Sequence, residues 1–226
     1  MSAAVQVPED WSLGEVIVEL STRAHVLHDE PNDAIETIAG RILIARDEGP
    51  TEVGTLECGL LHPEVAEDLG EDLGQVCDAE SEEWAEIHKV FFRGYDVRPN
   101  LAERFEMPPG SSLLLVDSVK VKPEFRGRGV GLAAVGRVID VFAMRSALVV
   151  CRPFPMQFSS RERRGNPRLV KTGRDDSGRD QEAATRALQK YWSRLAFRRV
   201  GRSPYYALSP YDARPWHRPG FFGEGA

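Results

Sequence analysis

The sequence predicts a single α/β domain, and three runs of residues carry that prediction. The first is an apolar strand, Leu113 to Val121, that passes through Pro123 into the alternate glycines Gly127, Gly129 and Gly131. The second follows at once: Leu132, Val135, Ile139 and Phe142 fall on one helical stripe, with Val130, Val138 and Val141 beside it. The third is a pair of apolar runs, 41–46 and 52–61, around the turn Asp47-Glu48-Gly49-Pro50, which reads as a hairpin. With 226 residues, 42% of them hydrophobic and 28% charged, the chain can bury the core such a domain needs.

The remaining elements are placed in order around these. Residues 1–13 read as an N-terminal arm with neither the basic start nor the long apolar segment of a secretory signal. Residues 14–20 alternate as a first strand, and Pro31-Asn32-Asp33 can cap a short helix at Ala34. From 63 to 109 the chain is acidic, with helical pieces around 65–73 and 82–92. The helical spacing of Trp84, Ile87, Val90 and Phe91 marks them as packing residues. Ala147 to Cys151 is another buried strand, ended by Pro153 and Pro155. Residues 159–180 are polar, glycine-rich and basic, the composition of a mobile loop. A helix resumes from about Gln181 to Leu195, and Tyr205 to Leu208 makes a last strand. The tail, 210–226, is rich in proline and glycine and reads as flexible.

Composition excludes some classes of function. No apolar run approaches the roughly 20 residues that span a bilayer, so no membrane role is expected. Cys58, Cys77 and Cys151 are odd in number and far apart, which fits reduced thiols in a cytoplasmic protein. Among the five histidines only His25 and His28 approach a metal-ligand spacing, and no carboxylate or cysteine is fixed beside them, so no metal is expected. The net charge of −6 is strongly polarised. Residues 1–112 hold 25 acidic and 7 basic side chains, and residues 113–226 hold 10 and 22. A polyanion is drawn to the second half, a cationic amine to the first.

The glycine run is the most chemically specific feature. Glycines let the backbone approach a bulky anion, and the first amides of the following helix have no internal acceptor. Arg126 and Arg128 add positive charge, so the turn suits a phosphate or pyrophosphate.

Arg126, Gly129 and Gly131 fill, in order, the positions of motif A in the GNAT superfamily of N-acetyltransferases, and the chain resembles that family there. Val119-Lys120-Val121-Lys122-Pro123 is similar to the end of the family's fourth strand, and Tyr191 to Phe197 resembles its motif B, with Ala196 in place of the common glycine. The resemblance covers roughly residues 14–61 and 112–209. It implies a GNAT-like (acyl-CoA N-acyltransferase) fold, a strongly twisted and mostly antiparallel sheet flanked by helices, with the cofactor in a splay between the fourth and fifth strands. It implies acetyl-CoA as co-substrate, its pyrophosphate on Arg126, Gly127, Arg128, Gly129, Val130 and Gly131, and its acyl arm along the main chain of Val119, Lys120 and Val121. The third and fourth strands are normally joined by a short turn, so 63–109 is an insertion, read as a lid or partner surface beside the acceptor groove.

Acyl transfer to an amine needs a base, carbonyl polarisation and a proton for the leaving thiolate. Asp117, four residues before Val121, stands where many family members hold a glutamate base. Trp192 occupies the usual place of the tyrosine acid and is expected against the cofactor. Tyr191 lies about 100° around the helix and could serve as the acid only with a one-residue register shift; Tyr205 and Tyr206 are further candidates. The implied activity is N-acetyl transfer to a primary amine, either a small molecule or a protein amine, with a homodimer possible. Two alternatives stay open: an inactive acyl-CoA-binding regulatory module of the same fold, and a nucleic-acid-associated protein using the basic loop. The second is disfavoured because no aromatics are interleaved for stacking.

Overall fold

The computed structural model describes residues 15–22, 31–108, 110–155, 177–211 and 215–217. The expected N-terminal arm, the His25/His28 pair and nearly all of the basic loop lie outside them. Strands β1 (Val16–Thr22), β2 (Ile35–Ile44) and β3 (Thr51–Leu61) form an antiparallel meander. The helix expected at Ala34 is a single 3-10 turn, Pro31–Ala34, that runs directly into β2. Strand β6 (Leu113–Val121) pairs antiparallel with β3 and parallel with β7 (Leu148–Cys151). The strands β9 (Tyr206–Leu208) and β8 (Arg198–Arg199) complete a seven-stranded sheet of order β1-β2-β3-β6-β7-β9-β8. The expectation of a mostly antiparallel sheet flanked by helices is met, with β6/β7 the one parallel pair in that sheet among the described residues.

Period-two alternation sends side chains to two cores. Leu114, Val116, Val149 and Cys151 face α5 (Val130–Phe142) and the end of α6 (Ser177–Ser193). On that side Leu132, Val135, Val138 and Ile139 from α5 meet Trp192, Leu195 and Phe197. Each fully buried aliphatic of this stripe is worth about 1.5–3 kcal/mol. Leu113, Leu115, Leu148 and Val150 face the other way, onto the segment read as an insertion.

That segment contains α1 (Pro63–Leu69), α2 (Leu73–Glu80), α3 (Glu82–Phe91), the two-stranded ribbon β4 (Phe92–Arg93) and β5 (Asp96–Val97), and α4 (Pro99–Arg104). Asp72 caps α2 by accepting from the Gln75 amide at 2.9 Å, and Ser81 caps α3 by accepting from the Trp84 amide at 3.2 Å. Trp84, Ile87 and Phe91 are buried, as their spacing predicted. A Cβ on Gly59 would stand 2.5 Å from the Trp84 ring, so the indole lies directly on β3. The expectation of a lid is corrected by this packing: the segment is the helical layer over the sheet's second face, and α3 is the part of it that brings carboxyls to the site.

The expectation of a loose tail is corrected for residues 215–217. The Trp216 ring comes within 3.0 Å of where a Cβ on Gly136 would be, and the indole N–H donates to Asp140 at 3.3 Å. His217 Nε2 stands 2.9 Å from the same carboxylate.

Candidate functional site

The site begins where β6 and β7 part. Their parallel pairing ends at Val116↔Cys151, while β6 runs on to Val121. Chemistry explains the stop: Pro153 and Pro155 follow β7 and have no amide hydrogen for a ladder. On its other edge β6 stays paired to β3 as far as Gly54↔Val121. The backbones approach so closely there that a Cβ on Gly54 would stand 2.3 Å from the Lys120 carbonyl oxygen. Residues 117–121 thus offer one edge with no strand partner among the described residues.

Asp117 is a bulge. Ser118 pairs with Glu57 and Val116 with Cys58, so Asp117 is the extra residue on β6. The extra residue reverses the alternation. Leu114 and Val116 face α5 before it, and Val119 and Val121 face α5 after it, with Lys120 exposed. The bulge therefore brings Val119 and Val121 beneath the start of α5, each within 3.7 Å of where a Gly131 Cβ would be.

The turn depends on its glycines for backbone conformation. Gly127 has φ +72° and Gly129 φ +79°, left-handed values that cost an L-residue with a side chain. A Cβ at Gly127 would meet nothing within 4 Å, so that side of the turn is open. Gly129 is the N-cap of α5 without a side-chain cap, and Val130 and Gly131 present amides that the helix cannot satisfy. Arg126 is exposed and its Nε donates to the Val121 carbonyl at 2.8 Å, tying the turn to the strand end; Arg128 is exposed. These residues fit a diphosphate: an open glycine turn, helix-start amides and two guanidinium groups.

Tyr191 and Trp192 exchange their expected places. The Trp192 indole is 8% exposed and packs edge-on against Phe197 in the core beneath α5. This corrects its assignment to the cofactor. Tyr191 is the residue that reaches the turn, its hydroxyl accepting from the Leu132 amide at 3.0 Å. Burial pushes the phenol's pKa up, against smaller lowering by that amide and Arg194, so it is protonated at neutral pH and its O–H is left to donate. Ala196 takes φ +68°, just past the end of α6.

Two glutamates that the sequence analysis did not single out lie near the bulge, Glu83 against Asp117 and Glu86 next to Glu83. Glu83, in the first turn of α3, hydrogen-bonds the Asp117 carboxyl. One turn on, Glu86 accepts from the Tyr205 hydroxyl at 3.1 Å and pairs with Arg152 at 3.3 Å. Tyr205 is wholly buried, and burial with the nearby glutamates pushes its phenol up, so it anchors Glu86 as a neutral donor. Cys58, opposite the bulge, is held as a thiol: burial and the charges of Asp117 and Glu57 push it up to about 12. Tyr206 packs against the α5 core. The one sequence signal for Glu83 was the i, i+3 spacing of Glu83 and Glu86 beside the buried face of α3, and that pattern is common on any solvated helix.

Among the described residues, no group of three or more His, Cys, Asp or Glu is placed to hold a metal ion, and no helix is long and apolar enough to cross a membrane.

No protein-family model and no curated protein matches the chain. Two solved structures show similarity. One is arylalkylamine N-acetyltransferase 2 from Aedes aegypti, 13% identical over 62% of this chain and 56% of that one, with a TM-score of 0.28. The other is a Drosophila melanogaster polyamine N-acetyltransferase that catalyses the formation of N-acetylagmatine, 19% identical over 58% of this chain and 56% of that one, also at 0.28. The chain thus spans little more than half the length of either. At these scores the reading of the site rests on its own geometry.

Proposed function

We propose that this chain transfers an acetyl group from acetyl-CoA to a primary amine by direct attack within a ternary complex. One observation carries the reading: the glycine turn and the start of α5 stand at the end of the same strand whose bulged edge, with no strand beside it among the described residues, lies where β6 and β7 part. A ligand with a diphosphate at one end and an extended arm at the other would lie along that line. Acetyl-CoA would supply an activated thioester there.

The roles follow from position. The amides and guanidiniums of Arg126 to Gly131 would hold the diphosphate. The main-chain edge of Val119 to Val121 on the side away from β3 would hold the arm and polarise the thioester carbonyl, with hydrogen bonds formed away from bulk water. Asp117, at the bulge, would take the amine proton. Tyr191, with its oxygen already accepting from Leu132, has an O–H directed away from that amide and would return a proton to the leaving sulfur. The excess of acidic groups in residues 1–112 favours a cationic acceptor.

Calorimetry with CoA and acetyl-CoA, followed by thiol release across a panel of primary amines, tests this. Binding of both, and thiol release that depends on the amine, are expected. Absence of heat with every coenzyme A species overturns the reading. Tight binding without release on any amine leaves only the acyl-CoA-binding module.

A further inference from the structure

Glu83 reaches Asp117 from a different layer of the molecule. Asp117 is fixed by the bulge on β6, and Glu83 by α3, which Trp84 and Ile87 anchor on the sheet's second face. Both carboxyls are half-buried, and they hydrogen-bond one another. Two carboxylates cannot share a hydrogen bond unless one of them carries a proton. We propose that Glu83 is a positioning residue whose carboxyl shares one proton with Asp117, so that the pair, and not Asp117 alone, receives the proton the acceptor ammonium must lose. This rests on the acetyl-transfer reading of the site.

The charged surroundings fit a pair that holds one proton near neutrality. Burial, the Asp117 charge and Glu86 all push Glu83 upward, against Arg152 just past β7, and bring it to about 7. Tyr205 faces the same group from the sheet and stays neutral, while Glu57 and the protonated Cys58 flank Asp117 on β3. A lone aspartate titrates near 3.9 and is a poor acceptor for an ammonium proton; a like-charged partner raises the basicity of the pair. Matching a base to the working pH in this way favours proton transfer.

The proton balance is closed. The ammonium gives its first proton to the fully ionised pair, where it becomes the shared proton. Its nitrogen lone pair then attacks the thioester carbon, the C–N bond forms and the C–S bond breaks with its electrons on sulfur. Tyr191 gives its proton to the sulfur and is restored by the second nitrogen proton, and the first leaves the pair for solvent. The net change is ammonium plus acyl thioester giving amide, thiol and one released proton.

Carboxyl carbon NMR of the full chain, titrated without ligand, tests the pairing independently of any activity. Two linked steps are expected for Glu83 and Asp117, one of them near neutrality. Two unlinked titrations at ordinary acidic values overturn the proposal. In kinetics, Glu83→Gln should move the acidic limb of the kcat/KM profile down by about one pH unit or more, about tenfold in the ionised fraction at a given pH. Glu83→Asp should restore part of that shift. Turnover with an unmoved limb overturns Glu83's role and leaves acetyl transfer standing. Linked titration with no turnover on any amine keeps the shared proton and removes the reaction assigned to it.

Discussion

Replacing Gly129 by alanine isolates what the turn contributes. Gly129 sits at φ +79° and ψ −1°, as the N-cap of α5. An L-residue there costs about 1–2 kcal/mol. If the whole fold carries that strain, a domain of this size melts about 2–8 °C lower. If the turn relaxes locally, the free protein escapes the strain and the ligand must restore it, so the dissociation constant for CoA rises about 5- to 30-fold. Gly201→Ala is the matched control. It has φ +54°, nothing within 4 Å of an added Cβ, and it follows β8, away from the turn. It should lower the melting temperature with unchanged CoA affinity. Calorimetry with CoA and thermal melts on both variants give the answer. Gly129→Ala melting like the parent and still binding CoA as tightly, or both variants losing affinity equally, refutes the assignment of the diphosphate to this turn. Gly129→Glu, which adds bulk and a negative charge, should abolish binding outright.

Three further outcomes are expected. Asp117→Asn should slow turnover about 100-fold or more while leaving CoA affinity nearly intact, the usual scale for a lost base; equal losses in both would reassign it to binding. Burial alone would raise the Glu36 carboxyl, but hydrogen bonds from Thr22 and Arg145 outweigh it and hold the group below its ordinary range. Its stabilisation is therefore present above the ordinary glutamate value of about 4.3 and is lost as pH falls through the lower native value. Glu36→Gln should cost ~1 kcal/mol at pH 7, given that Arg145 is half-exposed, and the gap to the parent should close in acid melts. Cys58, Cys77 and Cys151 are buried, with the first two pushed up to about 12 and the third higher still. A thiol reagent at pH 8 should therefore find none of the three reactive until denaturant is added, and a fast-reacting thiol in the folded chain would contradict this packing.

The elements legible in the sequence were those whose signal is local. The strand, glycine turn and stripe of 113–142 announced themselves because apolar period, proline and glycine all agree along one stretch. The hairpin of β2 and β3 was legible for the same reason. What escaped were contacts set by topology. Nothing local to Asp117 shows that it is the extra residue of a bulge, because a bulge is defined against β3. Glu83 stands far from Asp117 in the chain and meets it only because α3 packs on the second face of the sheet. Trp192 and Tyr191 were distinguishable only to within one residue of helix register, and the packing of α6 against α5 is what separates them. Trp216 was unreadable for a different reason: its partner is an absence of side chain, at Gly136.

That notch has a mechanical meaning. A glycine in mid-helix ordinarily weakens the rod by about 1 kcal/mol, and here the indole lies against it as a splint while Asp140 receives both the indole N–H and the imidazole. Force applied through Trp216 and His217 is therefore delivered straight to α5. Any partner that tugs on that segment loads the same rod whose opening amides face the glycine turn.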